Sequence, residues 1–134
     1  MTHAPFRSIA VIGAGTMGSG IAAQIANAGH NVLLLDLDAR DSTSKPPAAA
    51  ALDRLLASDP PQLMHKSYVN RITPGIIDKD FAKLADCDWI IEAVVERLDI
   101  KKALYKRLDD TISADCIVSS NTSTIPIKLL VEDM

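Results

Sequence analysis

A glycine-rich turn between two apolar segments is the feature that most constrains the fold of this chain. The residues Gly13-Ala-Gly-Thr-Met-Gly18 follow the apolar run 8–12 and open a run of small and apolar residues that Gly29 terminates. A nearly continuous apolar run predicts a strand that is covered on both faces of its sheet. The segment 16–28 predicts a helix. The fold therefore begins with a tight turn from a buried strand into a helix.

The spacing of the three glycines, G-x-G-x-x-G, is typical of turns that bind the pyrophosphate of a dinucleotide. Gly13 permits the tight turn, Gly15 leaves room for phosphate against the backbone, and Gly18 lets the helix pack closely on the strand. The helix N-terminus offers unpaired N–H groups to the phosphates. A glycine-rich turn without a ligand is the weaker interpretation, because strand, helix and a following acid all stand where a dinucleotide site needs them.

That acid is Asp36, which ends a second apolar segment, residues 31–35. A carboxylate at this position accepts a hydrogen bond from the ribose 2′-OH of NAD and repels the 2′-phosphate of NADP. Arg40 raises the NADP alternative without removing that repulsion, and Asp38 is interpreted as a solvated loop residue. Met17 either packs over the cofactor or belongs to the core, and the sequence favours neither.

Helices and strands alternate along the rest of the chain. The further predicted elements are strands at 68–73, 89–95 and 116–118, helices at 48–57, 78–84, 99–110 and 126–131, and a loop at 37–47. Such alternation of buried strands and helices predicts a parallel sheet with right-handed βαβ units. The predicted fold class is α/β, a doubly wound parallel sheet of the Rossmann type, in one domain over residues 1–134.

Composition argues against several other classes of protein. The net charge is −3 and only 4% of the residues are aromatic, which gives no footprint for nucleic acid. Apolar runs are of strand length, so we expect no membrane span, and the N-terminus carries no secretory or transit signal. Cys87 and Cys116 lack further ligands for a metal site and are interpreted as reduced core residues, which predicts a cytoplasmic protein.

Charged residues follow the strand predicted at 89–95. Glu96 and Lys101 could hold ribose or phosphate there, but on spacing alone we interpret both as solvated charges at a helix start. Glu92 is different, since it lies inside the apolar strand. A buried carboxylate needs a partner, and the sequence does not reveal one.

The segment 116–126, CIVSSNTSTIP, opens from an apolar strand into hydroxyl side chains and an amide. Two interpretations stay open on these residues alone. The segment is the edge of an active site, or it is a polar loop in which Ser123 or Thr124 caps the last helix.

Three segments together closely resemble the NAD-binding domain of the L-3-hydroxyacyl-CoA dehydrogenases: IAVIGAGTMGSGIAAQIANAGHNVLLLD, DWIIEAVVERLDIKKALYKRLD and CIVSSNTSTIPI. Those enzymes oxidise the 3-hydroxyl of an acyl-CoA to a ketone in fatty-acid β-oxidation and pass hydride to NAD. The residues RITPG at 71–75, with the N-terminal place of the domain, further resemble a bacterial subgroup in which an enoyl-CoA hydratase-like half follows.

The resemblance implies NAD as the cofactor, an acyl-CoA as the substrate and particular roles for matching residues. Ser123 would hydrogen-bond the reacting oxygen of the substrate, Asp36 would hold the adenosine ribose, and Glu96 would lie near the nicotinamide ribose. Lys101 would contact cofactor or substrate. The positions implied along the cofactor are Gly13, Gly15, Met17, Gly18, Asp36, Val94, Val95, Glu96, Lys101 and Asn121.

The family's reaction also needs a histidine as general base, and none of His3, His30 and His65 is expected to serve. We therefore expect an N-terminal part of a longer, homo-oligomeric enzyme, without the helical C-terminal domain that completes the acyl-CoA site. Such a part should bind NAD without turning over substrate. The alternatives are a non-catalytic dinucleotide-binding module and a β-hydroxyacid dehydrogenase that does not use CoA, although the sequence SSNTS at 119–123 argues against the latter.

Overall fold

Five parallel strands form one sheet in the order β3-β2-β1-β4-β5 in a computed structural model that describes residues 6–132 and residue 134. The strands are β1 (Ile9–Ile12), β2 (Val32–Asp36), β3 (Ile72–Ile76), β4 (Trp89–Glu92) and β5 (Ile117–Ser120). The helices are α1 (Thr16–Asn27), α2 (Pro47–Ala57), α3 (Ile77–Asp80), α4 (Leu98–Asp109) and α5 (Ile127–Leu130). The predicted doubly wound parallel sheet is confirmed.

Helices cover both faces of this sheet, and alternate strand residues enter two separate apolar clusters. Ile9 and Val11 of β1 belong to the cluster beneath α1 and α2, whereas Ala10 and Ile12 belong to the cluster beneath α4. All four residues of β1 are buried, as a continuous apolar run predicts for a strand with helices on both sides.

The first helix lies close to the sheet because its inner face consists of small residues. These residues are Gly18, Ser19, Ala22, Ala23 and Ala26, and all are buried. Their spacing of three and four places them on one side of a helix. The N-terminus of α1 is thereby held directly above the ends of the central strands.

The third strand lies later than the sequence predicts. Residues 66–71 form a 3-10 helix, and β3 begins at Ile72. Pro74 and Gly75, which follow the strand predicted at 68–73, lie within β3. Strand β3 is at the edge of the sheet and pairs with β2, and an edge strand tolerates a proline that lacks an N–H donor.

Other boundaries differ by a few residues. Strand β4 ends at Glu92 and not at Val95, and β5 extends to Ser120. The helix predicted at 78–84 divides into α3 and a 3-10 helix, Phe81–Asp86. Helix α5 begins with Pro126 as its N-cap and has no side-chain cap, so the prediction that Ser123 or Thr124 caps it is wrong.

Both cysteines are free thiols, but only one lies in the core. Cys87 is buried and Cys116 is half-buried, and burial raises the pKa of both thiols. In the part of the chain that the structure describes, no helix is long and apolar enough to cross a membrane.

Replacement of Gly18 by alanine tests the close contact between α1 and the turn that precedes it. A Cβ on Gly18 would collide with the carbonyl oxygen of Gly13, so Gly18→Ala should lower the free energy of unfolding by about 1–3 kcal/mol. Gly20→Ala is the matched control in the same helix, since its methyl group would meet only the flexible end of Gln62. Urea denaturation of both variants provides the measurement, and equal stability of the two would contradict the packing argument.

Candidate cofactor and substrate site

Four strands end together at one edge of the sheet. Ile12 pairs with both Leu35 and Glu92, and Glu92 pairs with Ser120. The residues that follow these strand ends line one cavity of about 710 Å³; they are Gly13, Asp36, Ala93 and Asn121. We call it the cofactor cavity, because ligands of open parallel sheets bind outside the carboxyl ends of the strands.

The three glycines of the turn meet different surroundings. A Cβ on Gly13, whose φ is +109°, would collide with the carbonyl oxygen of Ala93. Gly18 is equally confined, as described above. A Cβ on Gly15, in contrast, would meet no atom within 4 Å. The fold therefore requires Gly13 and Gly18, whereas the space in front of Gly15 is open to a ligand.

The N-terminus of α1 faces this open space. Gly15 is its N-cap without a side-chain hydrogen bond, and the first turn contains no acidic residue. The first intrahelical bond is donated by Ser19 N–H to the Gly15 carbonyl at 2.9 Å, so the preceding N–H groups have no partner within the helix. A helix end of this kind carries a partial positive charge and accommodates a phosphate.

Asp36 fastens the glycine turn and keeps capacity for a ligand. Its two carboxylate oxygens accept from the N–H groups of Ala14, at 2.6 Å, and Leu37, at 2.7 Å. An ionised carboxylate has about four acceptor positions, so a ribose hydroxyl can still bind. Arg54, a residue that sequence reasoning missed, donates to the Ala14 carbonyl at 2.9 Å and holds the same turn from α2.

Asp38 and Arg40, the two other charged residues considered for cofactor selection, do not line the cofactor cavity. Asp38 is exposed and lies 3.7 Å from the ammonium of Lys79, in agreement with its interpretation as a solvated loop residue. Arg40 is exposed and is not among the residues that line the cofactor cavity.

Exposed apolar side chains form much of the cavity wall. Met17 and Val95 are 58% and 57% exposed, so the alternative that Met17 is a core residue is wrong. Leu37 and Ile100 also line the cavity, and the sequence analysis missed both. The apolar face of α4 covers the core with Leu104 and Leu108 and reaches the cavity with Ile100.

Two buried charges, Glu92 and Lys101, lie under the carboxyl end of β4. This burial corrects the interpretation of Lys101 as solvated, whereas Glu96 is exposed but paired with Lys101. Lys101 Nζ lies 3.2 Å from Glu92 Oε2 and 2.6 Å from Glu96 Oε1. The side chain of Lys101 is 1% exposed and that of Glu92 is fully buried. This burial favours a supporting role for Lys101 over the direct ligand contact that the family resemblance implies.

Glu92 has the partners that the sequence did not reveal. Its Oε1 accepts from the hydroxyls of Ser120, at 2.6 Å, and Tyr105, at 3.1 Å, while Oε2 accepts from Val94 N–H at 2.9 Å. Together with Lys101, these donors give each carboxylate oxygen two partners. Burial raises the pKa of Tyr105 to about 12, so its phenol keeps the proton that it donates.

Glu96 binds the hydroxyl-rich segment 121–126, which we call the serine loop. Its carboxylate accepts from the N–H groups of Ser123 and Thr124, at 2.9 and 3.2 Å, and from the hydroxyls of Thr122 and Thr124, at 2.8 and 3.1 Å. The hydroxyl of Ser123 lies 3.4 Å away. The Lys101 ammonium first, and the Ser123 N–H next, hold the pKa of Glu96 far below its ordinary value.

A second cavity, of about 440 Å³, adjoins the cofactor cavity. Ser120 and residues 122–127 line it, while Asn121, between them, lines the cofactor cavity. Ser123 is exposed in this second space. The wall of the second cavity thus includes both sequence neighbours of Asn121.

The described histidines lie away from the serine loop. His30 lines an apolar groove with Ile9 and Trp89, which begin their strands, at the opposite edge of the sheet. His65 caps the 3-10 helix at 66–71, where its Nδ1 accepts from Ser67 N–H at 3.1 Å. His3 lies outside the described residues.

The cavity at the carboxyl ends of the parallel strands is surrounded by a glycine turn, a free helix N-terminus and an acid at the end of β2. This arrangement defines a Rossmann-type dinucleotide-binding domain. Residues 8–134 match the model of the family described as 3-hydroxyacyl-CoA dehydrogenase, NAD binding domain. The chain belongs to this family, and its cofactor is NAD. The family resemblance stated from the sequence is confirmed.

Relatives and solved structures agree with the match. A protein of Deinococcus radiodurans named probable 3-hydroxyacyl-CoA dehydrogenase is 41% identical over 94% of this chain and 37% of its own length. A provisionally named fatty acid oxidation complex trifunctional enzyme of Rickettsia felis is 43% identical over 96% of this chain and 18% of its own length. The crystal structure of 3-hydroxybutyryl-CoA dehydrogenase from Escherichia coli K12 superposes with a TM-score of 0.77 at 32% identity, over 95% of this chain and 27% of that chain. This chain thus spans a minor part of each of them.

The depressed pKa of Glu96 predicts a loss of stability in acid. Below about pH 4.3, the ordinary pKa of a glutamate, the unfolded chain takes up a proton at Glu96 that the folded chain does not, so stability falls with pH. Above that pH the contribution of Glu96 to the free energy of unfolding is constant. Between pH 7 and pH ~3.5 the urea midpoint of the wild type should therefore fall further than that of Glu96→Gln. Asp110→Asn, at an exposed acid directly after α4, should behave as the wild type. An equal fall of the urea midpoint in all three proteins would count against the anchoring role of Glu96.

Proposed function

We propose that this chain is the NAD-binding domain of a longer 3-hydroxyacyl-CoA dehydrogenase, an enzyme that oxidises (S)-3-hydroxyacyl-CoA to 3-oxoacyl-CoA. The observation that carries the proposal is the pair of adjoining cavities separated by Asn121, one beside the glycine turn and one beside Ser123. The longer relatives support a further catalytic part, and the relative named for fatty acid oxidation supports a place in β-oxidation.

The residues of the cofactor cavity fit NAD in both charge and space. The open space at Gly15 and the N–H groups that begin α1 suit the pyrophosphate. Asp36 has acceptor positions left for the adenosine ribose, and its charge disfavours a 2′-phosphate. Met17, Val94 and Val95 supply apolar surface toward the nicotinamide end, where Asn121 supplies an amide.

Ser123 would hold the reacting oxygen of the substrate. Bound NAD supplies the hydride acceptor when the alcohol carbon is oxidised. The hydroxyl of Ser123 lies beside Glu96 and faces the second cavity, so it is oriented toward an oxygen that binds there. Glu96 itself remains ionised at neutral pH because its pKa is depressed, which makes it a poor acceptor for the alcohol proton.

The proton of the alcohol therefore needs a base beyond those that the described site provides. A histidine suits this step, and neither His30 nor His65 lies at the serine loop. We propose that a histidine in a further part of the enzyme accepts the proton, and that this part also completes the acyl-CoA site and the homo-oligomer interface. The subgroup with a hydratase-like half and the cytoplasmic location stay predictions.

The alternative of a non-catalytic dinucleotide-binding module does not explain the serine loop and the charged residues that hold it. A module that only binds NAD needs the glycine turn and Asp36. It does not need a serine loop fixed by Glu96, or the buried ion pair beneath that loop. The β-hydroxyacid dehydrogenase without CoA lacks the support that the family match gives to the CoA-dependent enzyme.

Calorimetric titration with NADH and NADPH tests the cofactor half of the proposal. We expect NADH to bind and NADPH to bind about tenfold more weakly or worse, a difference of about 1.4 kcal/mol. Asp36→Asn keeps an acceptor for Ala14 N–H but loses the charge, so it should reduce this preference. Asp38→Asn, at the neighbouring exposed acid, should leave it unchanged. Equal affinity of the wild type for both nucleotides would show that Asp36 does not select NAD.

A turnover assay tests the second half. The 134-residue chain, mixed with acetoacetyl-CoA and NADH, should oxidise no more NADH than a control without protein, since the described residues of the site include no histidine to donate the proton that reduction of the ketone requires. Turnover above the control would refute the requirement for a further part of the enzyme.

A further inference from the structure

The buried ion pair beneath the serine loop touches neither cavity directly. Glu92 and Lys101 are absent from the residues that line the cofactor cavity and from those that line the second cavity. Yet both contact groups that reach the serine loop. They connect α4 and the end of β4 to the segment that carries Ser123.

We propose that Glu92 is a positioning residue, whose carboxylate fixes the serine loop, and with it the Ser123 hydroxyl, through Lys101, Glu96 and Ser120. The inference deepens the proposed function and rests on it for the identity of the oxygen that Ser123 holds. The placement of the loop by Glu92 stands on the contacts alone.

Two routes lead from Glu92 to the loop. On one, Glu92 Oε2 holds the Lys101 ammonium, which lies 2.6 Å from Glu96 Oε1, and Glu96 accepts the N–H groups of Ser123 and Thr124. On the other, Glu92 Oε1 accepts from Ser120 Oγ, which in turn accepts from Thr122 N–H at 3.1 Å. Both routes thus connect the main chain at residues 122–124 to one carboxylate.

The side chain of Glu92 is itself firmly held, so it can fix the groups that bind to it. Its side chain is fully buried in β4, and its four donors leave no acceptor position for a competing partner. Tyr105, which is buried in α4, occupies one of these positions. Glu96 is one-third exposed and could turn toward water if Lys101 did not hold it.

A contribution to stability does not by itself explain why the ion pair of Glu92 and Lys101 is buried here. Desolvation offsets most of the attraction within a buried ion pair, and apolar replacements of similar volume are often as stable. Position explains it better, since the pair lies under Asn121 and the serine loop, where the two cavities meet. Asn121 N–H itself donates to the Glu92 carbonyl at 2.8 Å.

Amide hydrogen exchange in the 134-residue chain tests the proposal. In Glu92→Gln an amide NH₂ must face Lys101 or the two hydroxyl donors, so we expect the amides of Ser123 and Thr124 to exchange about tenfold faster or more. The amide of Gly13, which donates to the Leu35 carbonyl at 2.7 Å, should be unchanged. Lys101→Met should give the same pattern.

Matched variants separate positioning from loss of stability. Lys106→Met, at an exposed lysine of the same helix, should leave the loop amides unchanged. Leu108→Ala weakens the core beneath α4 without touching the ion pair, and should not expose Ser123 and Thr124 selectively. In the double variant Glu92→Gln with Lys101→Met no buried charge is left alone, so the urea midpoint should recover while the loop amides remain fast.

Three outcomes would overturn the proposal. They are unchanged exchange at Ser123 and Thr124 in Glu92→Gln, equal acceleration in Leu108→Ala, and full recovery of slow exchange in the double variant. If Glu92→Gln does not fold, Tyr105→Phe, which removes one donor, must show the same pattern in weaker form. Failure of the wild type to bind NADH would count against the proposed function and would leave the exchange result standing.

Discussion

Three backbone segments come into contact at the turn from β1 into α1, and the site depends on that contact. Gly13 meets the carbonyl of Ala93 after β4, and Gly18 meets the carbonyl of Gly13. Side chains at either glycine would push α1 away from β1 and β4. The contact lies between β1 and β4, where the order β3-β2-β1-β4-β5 changes direction. A crevice opens at such a point because the connecting helices leave toward opposite faces, and the absence of side chains brings the helix end to its rim.

The two halves of this site differ in where their charges lie. The N-terminus of α1 and Asp36 provide one partial positive and one negative position for a nucleotide, both near the surface. The other half contains two carboxylates, those of Glu92 and Glu96, and one cation, the ammonium of Lys101. Because the charges of Glu92 and Lys101 lie within contact distance, neither is buried alone. The negative charge that remains is on Glu96, and hydroxyl and amide donors of the serine loop surround it.

The cofactor half was predictable because its residues are close in sequence. The turn, the helix and Asp36 lie within one βαβ unit, where spacing determines geometry, and the structure confirms the helix and the two strands of this unit. The assignment of individual residues to NAD stays a prediction. The apolar wall was harder, since Leu37 and Ile100 have the composition of core residues, and only the surface of the folded chain shows that they face a cavity.

The half of the site around the serine loop could not be predicted from the residues alone. Glu96 and the serine loop are separated by more than a full α4–β5 unit, and sequence spacing does not show that β4 and β5 end side by side. Ser123 and Thr124 were reasonable N-caps as a pattern, but α5 begins only at Ile127, with Pro126 as its N-cap, and both hydroxyls donate to Glu96. The third strand was misplaced for a related reason: Pro74 is a stop signal in a central strand, and only the sheet order shows that β3 is an edge.

The segment 120–122 contributes to the walls of both cavities. Asn121 lines the cofactor cavity, while Ser120 and Thr122 line the second cavity together with Ser123. In hydride transfer the reacting atoms must lie about 3–3.5 Å apart, and small displacements are costly to the rate. Main-chain and side-chain groups of Glu92 hold this segment at Ser120 and Asn121. The placement of the segment that lines both cavities therefore depends on one buried residue, Glu92.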